Sequence, residues 1–483
     1  MKHPLKLFQP GGWRIDNASR LLALLVCVLI AGAPGQPVHA QAAPPTTDAD
    51  PSAVDEDEAA RGAVETLNYE LSLTDMPGEP PADAEPVGEV LQEVWLRNPQ
   101  VQQALSEVEA AGYDISGART GFYPFLQVSS TQADSNASAT TVSVVQPIWS
   151  GGRVDAEIDQ ARAQRDVALA GLNQSRLDLG LQSSEAYLNV ALAREQVQLW
   201  ERYLESLKYL LAVIKNRVDK GVAPAVDVET ATTRLREAQA GLYSSRAALR
   251  TNRSQLESLL NRPAGGAVWP RESLALTPAE IDAILVNGVV DAHPARQQAL
   301  AEIDAAEARV DSSKAGLWPQ ITLQHSRQVE QSAGDFTPDS STQLVFQYQT
   351  DNTLRGIRGM QAEEQRVESA RQGLAFAQQD IANRIRTAAI ERASAREQFR
   401  AQRESAESAI RLVDSFLRQF KVGRKTWIEV LNAQREANNA LLQATTVKRT
   451  YWSANLRLAL EGMRWKRLNE DAPPIYIDRL RGR

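Results

Sequence analysis

The chain reads as a mainly α-helical fold with a small membrane-type β part, one long unit built twice. Three observations predict it. Two stretches match without gaps at an offset of 195 residues, and two proline-free runs of roughly seventy residues carry a helical period. Two pairs of shorter runs alternate apolar with polar residues over about the length that crosses a bilayer as a tilted strand.

The duplication comes first, because it sets the organisation. Pro99, Gln103-Ala104-Leu105, Glu107, Ala110-Ala111, Gly121 and Tyr123-Pro124 return as Pro294, Gln298-Ala299-Leu300, Glu302, Ala305-Ala306, Gly316 and Trp318-Pro319. A second echo sets Gly221, Asp227 and Ala231 against Gly423, Glu429 and Ala433. Two copies of one long unit, rather than many short ones, exclude most solenoid and propeller architectures. The expected domains are a first repeat over residues 88–262, a linker over 263–277, a second repeat over 278–466 and a tail over 467–483.

The first forty residues have the pattern of an export signal: Lys2, Lys6, Arg14 and Arg20, an apolar core from Leu21 to Ile30, and Val38-His39-Ala40 for cleavage. A retained inner-membrane anchor is the alternative, against which the core is short. Cys27 is the one cysteine and follows Leu25-Val26, so neither acylation nor a disulfide is expected. Residues 41–87 hold twelve acidic residues against Arg61 alone, with seven prolines, and are expected to be disordered, as a solvated tail or a tether. Of the chain's net −7, this segment carries −11 and the signal +3, which leaves a body of +1. A body so nearly neutral gives no footing for nucleic acid.

From Gly151 to Asp219 the chain has no proline, and Trp200, Tyr203, Leu207, Leu210, Ile214 and Val218 recur at steps of three and four. Glu201, Arg202, Glu205, Lys208 and Lys215 take the opposite face. Thr353 to Phe420 repeats the pattern. At ~1.5 Å per residue each helix runs on the order of 100 Å, so it must pair lengthwise with a partner rather than fold onto a globular core. The interior glycines Gly171, Gly180, Gly241 and Gly373 would admit a close neighbour. Turns at Lys220-Gly221-Val222-Ala223-Pro224 and Lys421-Val422-Gly423-Arg424 send the chain back, to about Arg262 and Gly462. Shorter helices are expected from about Gly88 to Thr120 and from Pro278 to Gly316.

Tyr123-Pro124 and Trp318-Pro319 stop helices and open the strands. In the second copy Ile321 and Leu323 alternate with Thr322 and Gln324, and Leu344, Phe346 and Tyr348 oppose Gln343 and Gln347. The first copy repeats this more weakly, with Leu126 and Val128, then Val142 to Gln146. Phe122, Tyr123, Phe125, Trp149 and Trp318 fall at the helix–strand junctions, where an interfacial aromatic girdle would sit. Four strands cannot close a barrel, and an open sheet edge in lipid leaves backbone groups unpaired, so closure demands several copies. The soluble alternative is a four-stranded cap on a coiled coil.

These residues resemble TolC-type outer membrane factors, across roughly Val87 to Trp465. The resemblance rests on the Asn98-Pro99 and His293-Pro294 helix starts, the aromatic-Pro junctions Tyr123-Pro124 and Trp318-Pro319, and Pro147, Trp149, Gly151 and Gly152 in Gln146-Pro147-Ile148-Trp149-Ser150-Gly151-Gly152. The tip from Phe420 to Ala433, which contains Lys425-Thr426-Trp427-Ile428-Glu429, carries it further. It implies a homotrimer that shares one outer-membrane β-barrel, four strands from each chain. A periplasmic α-barrel of helices would continue it, opened when a periplasmic adaptor (membrane fusion protein) and an inner-membrane transporter dock. It further implies that Glu429 and Asn432 line the periplasmic gate. Asn432 departs from an aspartate frequent in the family. Phe420 and Lys425 would latch the closed state. Lys220, Gly221, Asp227, Val422 and Gly423 would face the adaptor, although Asp227 also reads as a helix-start residue. Three Glu429 carboxylates on one axis would form a cation-selective ring; the plainer alternative is a helix-start glutamate that complements the dipole.

No enzyme chemistry is expected. His293 and His325 have no cysteine, histidine or carboxylate at metal spacing in the sequence, and the Gly-Gly pairs at 151 and 265 lack a phosphate-loop context. No cofactor is implied. Three functions compete: the outer-membrane duct of type I protein secretion with an adhesin-like cargo and an ABC-type transporter, the same duct in multidrug or metal efflux, and, remotely, a periplasmic coiled-coil adaptor. The similarity of the tip from Gly423 to Glu436 to adhesin-exporting ducts, together with the missing lipobox, puts secretion first.

Overall fold

Asn98 ends one helix and caps the next, and from that break the architecture follows. The structure, a computed structural model, describes residues 85–132, 138–264, 276–286, 289–331, 339–348 and 353–464. The expected signal, the acidic segment before residue 85, most of the linker and the tail from residue 467 lie outside the described residues. All described residues fall in one structural unit, Ser52–Arg483.

The elements run α1 (Val87–Arg97), α2 (Pro99–Arg119), β1 (Phe125–Gln132), β2 (Ser138–Trp149), α3 (Arg153–Asp219) and α4 (Ala225–Leu260). The second repeat follows with α5 (Pro278–Val286), α6 (Val289–Ala292), α7 (Pro294–Ala315), β3 (Gln320–Gln331), β4 (Ser340–Gln347), α8 (Thr353–Lys421) and α9 (Trp427–Glu461). The helices expected over Gly88–Thr120 and Pro278–Gly316 are each interrupted. Pro99 and Pro294 sit at the first helical turn, where a missing N–H is no loss, and they bar the preceding residue from helical geometry. The Asn98 side chain accepts from the Gln100 N–H at 2.9 Å, and His293 Nδ1 accepts from the Ala295 N–H at 3.2 Å. One cap is thus built twice from different side chains.

The long helices α3 and α8 have 67 and 69 residues. Each pairs over its tip-side half with its shorter return helix, α3 with the 36-residue α4 and α8 with the 35-residue α9, while α3 also packs on α9 and so joins the repeats. α2 and α7 fill the strand-proximal end against α3. The stripe read from the sequence is the inner face: Tyr203, Leu207, Leu210 and Ile214 of α3 are buried among Val413 and Leu417 of α8 and Val430, Leu431 and Leu441 of α9. Burial also pushes the Tyr203 hydroxyl up to about 12. Nearer the strands a second cluster gathers Trp95, Leu177, Tyr187, Leu256, Tyr451 and Trp452. Trp95 Nε1 donates to the Arg176 carbonyl at 2.8 Å, so the buried indole is satisfied. Of the four interior glycines, Gly180 touches Trp95 and Gly241 touches Trp200, whereas Gly171 and Gly373 have open space beside them.

Polar clasps tie the ends. Arg262, just past α4, pairs with Glu93 of α1 at 2.6 Å and Glu85 at 3.1 Å, and its guanidinium lowers the Glu93 carboxyl. In the second repeat His293 Nε2 lies 2.9 Å from Glu461 Oε2, and Arg384 Nη1 donates to Glu461 Oε1 at 3.0 Å. Both His293 and Glu461 are buried. The sequence showed no carboxylate at metal spacing to His293, and the partner the fold supplies, Glu461, lies 168 residues away.

The four strands form one antiparallel sheet in the order β1-β2-β3-β4, so β2 and β3 knit the repeats together. The first-copy hairpin is longer than its weak alternation suggested. β2 runs on through Pro147 to Trp149, with a register shift between those two residues, a place where a strand tolerates proline.

Candidate functional site: a two-faced sheet, its junctions and two helical tips

Strand register sorts the side chains onto two faces. Leu126 pairs with Val144, Val128 with Val142, Ile321 with Phe346 and Leu323 with Leu344. By the alternation of a strand, these eight share one face. Leu126, Val128, Leu344 and Phe346 are each more than 60% exposed on it. The other face holds Gln127, Ser129, Ser143, Thr322, Gln324 and Gln343, with Gln324 Nε2 donating to Ser143 Oγ at 3.2 Å. His325 and Arg327 of β3 lie on the first face beside Val144 and Val142, so that side is mainly apolar, in keeping with lipid, and the other mainly polar, in keeping with water. Among the described residues, strands β1 and β4 have one partner each, so both outer edges present backbone groups without a strand partner. In lipid those edges are intolerable until neighbouring copies pair with them.

The junctions between helices and sheet are closely packed. Gly151 has φ +65°, and a Cβ there would come within 2.6 Å of the Trp318 Cβ, so the first-copy junction packs directly on the second. Gly152, at φ +84°, starts α3. Gln146 Nε2 donates to the Phe122 carbonyl at 2.8 Å, fastening β2 to the turn that leaves α2. Around this ring Tyr123, Phe125, Trp149 and Trp318 are exposed. Pro124 and Pro319 each immediately precede a strand.

The far ends are two tips with one design. Gly221 (φ +73°) follows α3 and Gly423 (φ +71°) follows α8. The Val222 N–H reaches back to the Arg217 carbonyl at 2.9 Å, and the Arg424 N–H to Gln419 at 2.9 Å, which closes both helix ends as Schellman turns. Val222, Val226 and Val422 are exposed there, and Lys220 and Asp227 flank the first turn.

At the second tip the candidate gate residues are engaged with one another. Glu429 completes a capping box with Thr426: its Oε2 accepts from the Thr426 N–H and hydroxyl, each at 2.8 Å. Its Oε1 accepts from Lys425 Nζ at 2.7 Å. The Lys425 ammonium, with the Thr426 backbone and hydroxyl, holds the Glu429 carboxyl down to about 2. Lys425 also lies 4.5 Å from the Phe416 ring centroid. Phe420 packs against Trp427 as a tilted pair with ring centroids 5.2 Å apart, and the Arg217 guanidinium of the first tip lies 5.0 Å from the Phe420 centroid. The Phe420–Arg217 contact therefore bridges the two tips. Asn432 lies three residues beyond Glu429 on the same helix, exposed to solvent.

Between tips and sheet, the seam of α3 and α9 buries polar side chains the sequence reading had not singled out. Glu195 and Lys448 pair at 3.4 Å, and Gln434 donates to Ser206. Asp178, elsewhere on α3, is exposed, and partial desolvation by its neighbours raises its carboxyl. The spacing from Glu195 to Lys448 is 253 residues, so no local pattern signals it. Among the described residues there is no group of three candidate metal ligands, and no helix is long and apolar enough to cross a membrane.

Similarity to known proteins agrees with this geometry. The family model for outer membrane efflux proteins matches residues 90–262 and 286–460, one match in each repeat. The cobalt-zinc-cadmium resistance protein CzcC of Cupriavidus metallidurans is 24% identical over 226 residues, which span 47% of this chain and only 54% of the relative. Outer membrane efflux protein BepC of Brucella suis is 24% identical over 342 residues, 67% of this chain and 73% of the relative. The crystal structure of the outer membrane protein VceC of Vibrio cholerae shares the fold, with a TM-score of 0.66 at 13% identity over 78% of this chain and 95% of that one. Since the family match covers most of both repeats and the sheet has one face for lipid and one for water, the chain belongs to the outer membrane efflux protein family, a non-enzymatic outer-membrane channel component of tripartite export systems.

Proposed function

We propose that this channel is the exit duct of a type I secretion system, that it acts as a homotrimer, and that it passes an unfolded, adhesin-like polypeptide. The observation that carries the trimeric duct is the four-stranded sheet, apolar on one face, polar on the other, and unpaired at both edges. A periplasmic adaptor and an inner-membrane ABC-type transporter would dock at the tips, on Lys220, Gly221, Asp227, Val422 and Gly423. Exposed Val222 and Val422 supply apolar contact there. Glu429 and Asn432 form the periplasmic constriction, and three Glu429 charges around one axis favour cations. Phe420 and Lys425 latch it, through Arg217 and Glu429. The tip sequence Gly423-Arg424-Lys425-Thr426-Trp427-Ile428-Glu429-Val430-Leu431-Asn432 is what supports a polypeptide cargo.

The names of two relatives, the cobalt-zinc-cadmium resistance protein and a solvent efflux pump outer membrane protein of Pseudomonas putida, favour a second reading, efflux of metal ions or organic solvents through the same duct. Deletion of the chain in its host separates the two. Secretion predicts loss of a large surface protein, restored by the wild-type chain, with unchanged tolerance of cobalt, zinc, cadmium and solvents. The opposite pattern, an intact surface proteome with heightened metal or solvent sensitivity, overturns it.

A further inference from the structure

The two junctions repeat a spacing that the channel function leaves unused. A basic residue in the last helical turn lies four positions before an aromatic-proline pair: Arg119 before Tyr123-Pro124, and Lys314 before Trp318-Pro319. Each opens onto a surface cavity. The second-repeat cavity, about 590 Å³, is lined by Lys314, Leu317, Trp318, Pro319, Phe346 and Tyr348. Among the described residues that line it, the only charge is the Lys314 ammonium, and Phe346 belongs to the mainly apolar sheet face. The first-repeat cavity, about 500 Å³, has Arg119, Phe122 and Tyr123 in the corresponding places, but Asp155, Asp159 and Arg162 also line it. Two carboxylates there offset two guanidinium groups, so the repeats have diverged in charge.

We propose that the second-repeat cavity is an interfacial site for one anionic glycerophospholipid. It lies at the sheet end that joins the helices, hence on the periplasmic side of an outer-membrane barrel, in the leaflet built from glycerophospholipids. The phosphate meets Lys314, the glycerol region lies against Trp318 and Tyr348, whose amphipathic rings suit that depth, and an acyl chain covers Phe346. Lys314 contacts Asp311 at 3.1 Å, but both side chains are more than half exposed. Such a pair contributes little and leaves the ammonium able to serve a phosphate. The first-repeat cavity shows no such preference, because Asp155 and Asp159 repel the anion. This site depends on the barrel being in the membrane and is independent of the cargo.

Native mass spectrometry of the detergent-purified full-length trimer, loaded with dioleoyl phosphatidylglycerol or dioleoyl phosphatidylcholine, tests it. The wild type retains up to three phosphatidylglycerol molecules per trimer, preferred over phosphatidylcholine by about fivefold, as one lysine at a membrane surface provides. Lys314→Gln brings that preference to about one, Lys314→Arg keeps it, and Arg119→Gln leaves it unchanged. Equal retention of the two lipids by the wild type, an undiminished preference in Lys314→Gln, or an equal loss in Arg119→Gln overturns the site. Heat-resistant trimers on gels show that each variant has assembled, so failure of the lipid site and failure of the channel are told apart.

Discussion

His293 Nε2 and Glu461 Oε2 lie 2.9 Å apart in a fully buried setting, and they join the start of α7 to the end of α9. The same imidazole caps α7 through Nδ1, and Arg384 holds the other oxygen of Glu461. His293→Ala removes the cap and a partner of a buried carboxylate together. The expected loss is about 2–4 kcal/mol, the sum of a cap and a buried unmet acceptor. His293→Asn, which copies Asn98 of the first repeat, restores the cap and recovers about 1 kcal/mol of it. Thermal unfolding of the purified trimer, compared among the three proteins, measures both.

Glu429 makes a prediction about pH. Its carboxyl is depressed from the ordinary 4.5 to about 2 by Lys425 and Thr426. A depressed carboxyl contributes stability in full above its unfolded value, and that contribution fades as pH falls toward the folded one. The capping box and tip should therefore hold at pH 5 and loosen progressively between about 4.5 and 2, seen as faster amide exchange of residues 426–432. If Glu429 also sets cation preference, selectivity in planar bilayers persists at pH 3.5 and vanishes in Glu429→Ala. Lys425→Gln raises the pH at which selectivity is lost. Unchanged cation preference in Glu429→Ala removes the ring.

Two helix glycines should respond with opposite signs. A Cβ at Gly241 would sit 2.6 Å from the Trp200 ring, so Gly241→Ala forces the indole aside at a cost of about 1–3 kcal/mol. Gly171 has nothing within 4 Å, and Gly171→Ala stabilises by about 0.5–1 kcal/mol through helix propensity alone. Midpoints of thermal denaturation read the two shifts directly.

The two sheet faces should differ in what they tolerate. Leu344→Lys places a charge on the apolar face and should cost up to about 2–4 kcal/mol, depending on depth, seen as loss of heat-resistant trimer in the outer membrane. Gln343→Lys, one residue away on the polar face, should assemble normally. Equal behaviour of the pair would reverse the assignment of faces.

What the sequence alone determined was whatever rests on local period and on repetition. The stripe of Tyr203, Leu207, Leu210 and Ile214 gave α3 its buried face, because helical spacing forces residues three and four apart onto one side. The offset of 195 residues paired Tyr123-Pro124 with Trp318-Pro319 as equivalent junctions. The tip motif placed Glu429 at a helix start, where a capping glutamate is a local event. Only the tertiary structure decided that β2 pairs with β3, that Gly151 packs on Trp318, and that His293 meets Glu461. It also decided that Glu195 meets Lys448 in the α3–α9 seam. Those partners are separated by more than 160 residues, and nothing in local spacing encodes which distant helix face will arrive beside another. Packing two elongated repeats side by side selects them.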